Sequence, residues 1–477
     1  MSIQPKMILP LPRPQYVAVP EALISALAWR AFDVDLGGEP TGLVYRMDPE
    51  KLEKQPKTFA LRATEPVKHE DLAKFGETLR DSGVRSQVAP EVLARAVLNS
   101  VVGVRADKSG KQPATPITPG LALLQNMRGL QGSKNPPDLA RIMETMYLLG
   151  GGAEDSAVGG MTTRWMSATQ ARMEMDSLLR AVDVAVGESL LGSPRKPSVK
   201  KPTEPFEGSV LRGTPYSWLA RSWDTLTSRP WVDALPSRVW VDWATTVLRL
   251  GLGMGFLWEA AWYETIARKL LKDESPAAGE ELFDWLTTQV GEVLPWKSSR
   301  STTSVRDVAP VLSWRIHRGD KIRRILKEEL EAYPDGETYD RAWARLRSNP
   351  ELHSELTSAL GSKEKGANNA WEAVKYALLT RDATGPSADY YGLLRSNGRY
   401  MTVEPGTEWV AVVASLACGA PGHQSNVGAV MDSLAELGMQ PELSDLVALL
   451  ERAGLARGSA DADQAVIVQS AFSGGTK

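Results

Sequence analysis

The chain has 477 residues, 24% charged and 43% hydrophobic, with a net charge of −3 and a pI near 6.0. That length bounds the protein at two or three domains with a sizeable core, and the charge balance excludes a general attraction to nucleic acid or anionic membrane, leaving only local patches for such contacts. One cysteine, Cys418, excludes an intrachain disulfide framework and fits a reducing compartment. The opening MSIQPKMILPLPRPQ carries one lysine and a proline-interrupted apolar stretch shorter than the core of a signal peptide. No segment reaches membrane-spanning length. A cytoplasmic protein is expected.

Residues 1–90 read as a small mixed α/β region. EALISALAWRAF (Glu21–Phe32) has helical periodicity, Gly42–Met47 and Lys57–Ala63 read as short strands, and His69–Ser82 is an amphipathic helix closed by Gly83. Asp33 and Asp35 stand in two-carboxylate spacing, but just before Gly37-Gly38, the composition of a solvated turn. Residues 91–192 are helix-rich, with patterns at Pro90–Val102, Leu121–Leu130 and Pro137–Leu149, and one long amphipathic stretch over Thr162–Leu191. The glycine-rich Gly150–Gly160 follows a helical pattern and has no Lys-Ser/Thr at its end, so it reads as a connection and not a phosphate cradle. Residues 193–205 form a basic Pro/Lys linker. Its Ser198-x-x-Lys201 has a serine-acylase spacing without the packed helix that such a serine opens.

Residues 206–400 are expected to be a tryptophan-rich helical core, since ten of fifteen tryptophans fall between Trp218 and Trp314. The run Val239–Leu271 reads as one helix or two closely joined ones, buried nearly all round. Gly251, Gly253 and Gly255 are expected to admit a neighbouring backbone, and Asp242 with Arg249 to form an internal salt bridge. Segment 297–327 is the most basic, with nine lysines and arginines against Asp307 and Asp320 for a net of +7. Ile322, Ile325, Leu326 and Leu330 give it an apolar face and leave Arg323, Arg324 and Lys327 toward solvent. Arg315, Arg318, Lys321, Arg323, Arg324 and Lys327 are the candidate nucleic-acid contacts, with Trp296 and Trp314 flanking them. The alternative is a solvated helix face balanced by Glu328, Glu329 and Glu331.

In residues 401–477, TEWVAVVASLACG, SNVGAVMDSLAELG and ELSDLVALLERAG are three helical patterns, each closed by glycine. Leu455-Ala456-Arg457, a polar tip and Ala465–Phe472 complete a hairpin. Three helices followed by a hairpin resemble the winged-helix family over about residues 404–472. The resemblance implies DNA reading by the third helix in the major groove. This chain departs from that, because nine acids face three bases from residue 401 onward, a net of −6, and an acidic surface repels phosphate. Glu442, Asp445 and Glu451 on the third helix are therefore the candidate protein-docking residues.

Catalytic motifs of familiar kinds are missing. No lysine has an acid two positions before it, and Gly-Lys-Ser/Thr and Gly-x-Ser-x-Gly do not occur. RIHRGDKI (Arg315–Ile322) lacks the rest of a kinase. His69, His317, His353 and His423 are scattered, and Cys418 with His423 would supply two zinc ligands where a structural site needs four. No metal and no cofactor are expected. The leading expectation is a mainly α, multi-domain, non-enzymatic scaffold or adaptor with other protein subunits as partners and nucleic-acid contact through 297–327. Its expected setting is a prokaryotic assembly of the antiviral-defence kind. The alternatives are a DNA-binding winged-helix regulator and an enzyme with an unrecognised carboxylate-based site.

Overall fold

A computed structural model describes residues 7–14, 20–33, 44–46, 59–61, 69–101, 103, 114–123, 139–153, 160–188, 196–197, 210–278, 280–296, 307–332, 338–364, 369–381, 389–398, 400–457 and 466–473. These residues are mainly helical. In the N-terminal half lie α1 (Glu21–Ala31), α2 (His69–Asp81), α3 (Pro90–Ser100), α4 (Pro119–Leu123), α5 (Leu139–Leu149), α6 (Gly160–Met175) and α7 (Ser177–Val186). The central part holds α8 (Pro215–Leu226), α9 (Arg229–Ala234), α10 (Ser237–Leu271), α11 (Leu282–Gln289), α12 (Ala309–Glu331), α13 (Tyr339–Arg347), α14 (Pro350–Gly361) and α15 (Asn369–Leu378). The last three are α16 (Thr407–Ala417), α17 (Val427–Glu436) and α18 (Leu443–Arg452).

The strands are short: β1 (Phe32–Asp33), β2 (Val44–Arg46), β3 (Phe59–Leu61), β4 (Lys196–Pro197), β5 (Leu394–Asn397), β6 (Tyr400–Val403), β7 (Gln424–Asn426), β8 (Ala456–Arg457) and β9 (Ile467–Gln469). All named pairs are antiparallel: β2 with β3, β5 with β6, and a three-stranded sheet in the order β7-β9-β8. β1 pairs with β4, Phe32 opposite Pro197 and Asp33 opposite Lys196. The basic linker therefore contains a stretch tied to the end of α1. Asp33 stands in that strand rather than in a turn, while Asp35, Ser198 and Lys201 lie outside the described residues.

The helix α10 is the axis. It runs unbroken for 35 residues, and α1, α5, α8, α11, α12, α13, α14, α15 and α16 all pack against it. Its apolar positions cover every side because neighbours cover every side. Its glycines accommodate side chains and not the expected backbone: a Cβ on Gly253 would lie 2.6 Å from Leu378 Cδ2, and one on Gly251 2.7 Å from Leu219 Cδ1. The close backbone approach comes instead from the partner helix, at Gly319 of α12. A Cβ there would stand 2.5 Å from Ala260 Cα.

Two further expectations are corrected. The amphipathic stretch over Thr162–Leu191 is two helices, broken at Asp176, whose carboxylate accepts from the amides of Leu178 and Leu179 and so starts α7. An aspartate that caps the next turn competes with the helix it interrupts. The Asp242–Arg249 pair does not form. Asp242 pairs with Arg238 one turn away at 3.2 Å. Arg249, only 3% exposed, instead grips Asp389 at 2.9 and 3.0 Å and donates to the carbonyls of Ala377 and Leu379. It thereby satisfies the open C-terminal end of α15, where a cation is favoured.

The C-terminal elements are fastened to this core. α16 and α17 pack on α8, and α16 also on α10. The Trp218 indole donates to Ser433 Oγ at 2.9 Å and the Trp231 indole to the Gly419 carbonyl at 3.0 Å. The Gly438 carbonyl accepts from the amides of Val293 and Leu294. Buried apolar residues from Met7 to Val468 belong to a single cluster. Among the described residues no helix is long and apolar enough to cross a membrane.

Candidate functional site

Among the described residues, a large cluster of interior charge lies where α10 crosses α12. Glu259 and Glu264 project from α10 and are 2% and 1% exposed. Charges so deeply placed persist only when paired. Arg13, from the segment ahead of α1, donates to both oxygens of Glu259 at 2.7 and 2.8 Å and reaches Asp320 at 3.5 Å. Arg323 approaches Glu259 at 3.9 Å. Glu264 receives Arg318 at 2.6 Å, Arg268 at 3.1 Å and Arg315 at 3.9 Å. Five guanidinium groups thus meet three carboxylates. Burial works against the Arg13 cation, but Glu259 outweighs it and holds its pKa above the ordinary arginine value. At Arg315 burial prevails over Glu264 and lowers it. With both Glu259 oxygens engaged, this is a clamp and not a proton-transfer pair. A crevice of about 10 Å³ beside it, room for one water molecule, is lined by Arg13, Glu259, Tyr263 and Asp320, among others.

The six candidate nucleic-acid contacts therefore divide. Arg315, Arg318 and Arg323 turn toward α10, with side chains 17–19% exposed; Arg323 does not face solvent as its periodicity suggests. Arg315 also donates to the Val293 carbonyl. Arg324 and Lys327 are exposed and pair within their own helix, with Asp320 and Glu331, and Lys321 is half-buried. Lys297, Arg300 and Arg306 lie outside the described residues. The balancing acids are thus mainly those of α10, not only the glutamates downstream.

Of the candidate docking residues, Asp445 and Glu451 lie on α18 and Glu442 immediately precedes it; α18 packs on α16 and against β8. Glu442 and Glu451 are exposed, Asp445 is half-buried, and Leu443 between them is 54% exposed. Cys418 is buried, donates toward the Val468 carbonyl at 3.6 Å, and has its thiol pKa pushed up by burial, the reverse of an activated nucleophile. His317 pairs with Glu364 at 2.8 Å and His423 is exposed. Among the described residues no group of three or more histidine, cysteine, aspartate or glutamate side chains is placed to hold a metal ion.

Sequence reasoning missed Arg13, Glu259 and Glu264. Arg13 and Glu259 are separated by 246 positions, so no local pattern announces them. The available signal was two glutamates inside an otherwise apolar helix, which require cationic partners. No protein-family model matches the chain, and the comparison with curated proteins finds no match.

Proposed function

We propose that the protein is a non-enzymatic scaffold or adaptor subunit of a multi-protein assembly, docking a protein partner through α18. The observation that carries this reading is the inward turn of the basic helix: Glu259 and Glu264 engage Arg315, Arg318 and Arg323. Exposed on α18 are Leu443, next to the exposed Glu442, and Glu451 about two turns further along. Acidic groups around an apolar residue suit a partner surface with lysine or arginine around an apolar pocket. The three helices and the β8–β9 hairpin support reading residues 404–472 as a winged helix used for protein contact. Nucleic-acid contact by Lys321, Arg324 and Lys327 is a secondary part of the proposal; prokaryotic antiviral defence is the setting we favour.

Affinity purification from the native cell, with and without nuclease and read by mass spectrometry, tests it. Stoichiometric partners that survive nuclease are expected, and a Glu442→Lys/Glu451→Lys variant should lose them. Recovery of the chain alone with nuclease-sensitive nucleic acid would overturn the ranking.

A further inference from the structure

The end of α9 and the start of α10 meet at Leu235-Pro236-Ser237. A residue before proline is biased to extended backbone, and Leu235 takes it, at φ −86° and ψ 137°, which ends α9. α10 then begins with Pro236 as its N-cap, which offers no side-chain acceptor to the first amides of a 35-residue helix. Among the described residues the amides of Ser237 and Val239 meet no acceptor, and both residues are only half-buried. The positive end of this long helix is thus left open.

A cation adds to that end. Arg172 of α6, only 4% exposed, is aimed at the same turn. Its Nη1 donates to Ser237 Oγ at 3.2 Å and its Nη2 to the Leu235 carbonyl at 3.0 Å, with the guanidinium 4.7 Å from the centre of the Trp240 ring. All three partners are neutral, and Nε has none. The pairing that sustains Glu259 and Glu264 is missing here: among the described residues no carboxylate pairs with Arg172. Asp176 accepts from the amides of Leu178 and Leu179, Asp233 holds Arg229, and Asp242 holds Arg238. Burial outweighs the pull of Asp233 and Asp176 and pushes the Arg172 pKa down to about 10. Because Ser237 Oγ accepts from Arg172, its own proton remains to donate. The turn therefore presents donors and positive charge with no anion to match them.

We propose that the start of α10 is a binding site for a phosphate group, as inorganic phosphate or a phosphate monoester. The amides of Ser237 and Val239 and the Ser237 hydroxyl donate to its oxygens, and Arg172 supplies the countercharge behind Ser237. Three donors on one turn suit the several oxygens of a phosphate better than the two of a carboxylate. Met175, one turn beyond Arg172 on α6 and 47% exposed, is an apolar neighbour for the organic part of an ester. The inference is independent of α18 and of the scaffold reading.

The test follows the Tm of the full chain by tryptophan fluorescence against inorganic phosphate and against phenyl phosphate, each balanced with chloride to constant ionic strength. A saturable rise is expected, unlike the unsaturating effect of an excluded salt, and the tighter of the two ligands identifies the source of the phosphate. Ser237→Asp sets a carboxylate on the same turn; it should raise Tm by itself and abolish the response to both ligands. Arg172→Gln should weaken binding at least about tenfold, the loss of a charged donor. A rise without saturation, or one that Ser237→Asp leaves unchanged, overturns the proposal. Should Arg172→Gln not fold, Ser237→Asp alone decides.

Discussion

A buried aspartate, Asp389, and a half-buried one, Asp242, respond to pH with opposite sign. Burial alone pushes the Asp389 carboxyl up, but Arg249 beside it, aided by the Arg381 amide, holds it below its ordinary value of 3.8. Its contribution is present above that value and is lost as the pH falls through the lower folded one. Arg249→Met should cost about 3–5 kcal/mol in urea unfolding at pH 7, because it leaves a buried carboxylate unpaired. Arg249→Met with Asp389→Leu should recover much of it; equal losses in the single and double variants would show that Arg249 acts only as the cap of α15. Asp242 behaves the other way. Burial raises its pKa to about 6, with Arg238 opposing and Glu21 adding to the rise. The folded chain therefore holds this proton more tightly than the unfolded chain, and stability falls as the pH rises from about 4 to about 6. Asp242→Asn should flatten that part of the Tm profile and raise Tm at pH 7.

Among the elements, the crossing of α10 and α12 depends on Gly319. Gly319→Leu has to push Ala260 away and should cost about 1–3 kcal/mol by overpacking, whereas Gly361→Ala, which meets no atom within 4 Å, should be near neutral. Urea midpoints of the two variants check this. Asp176→Ala removes the cap of α7 and should cost about 1 kcal/mol; an unchanged midpoint would mean that packing alone breaks the helix there. These elements differ in how legible they were. The sequence marks α10 by apolar residues on every helical face, and α16, α17 and α18 by glycines that each take positive φ, Gly419, Gly438 and Gly454. The break at Asp176 was hidden because the apolar pattern continues across it. β7 and the β5–β6 hairpin are too short and polar to show period-two alternation. The ion cluster was half legible: its basic half appears as a charge run, but its acidic half sits on another helix and its clasp, Arg13, near the other end of the chain.

At the scale of the whole molecule, one apolar cluster joins residues from Met7 to Val468. Thermal unfolding followed by tryptophan fluorescence and by far-ultraviolet circular dichroism should give coincident transitions; two separated transitions would show that the C-terminal helices melt on their own. One of the contacts between those helices and the centre runs through Val293. Val293 lends its carbonyl to Arg315 and its amide to the Gly438 carbonyl, and a Cβ on Gly438 would strike Val293 Cγ2 at 2.4 Å. Arg315 also stands 3.9 Å from Glu264, so this contact links the Gly438 turn to the ion cluster between α10 and α12. A shift of the C-terminal helices is thereby coupled to the sliding of α10 against α12, alongside the contacts that Trp218 and Trp231 make with Ser433 and Gly419.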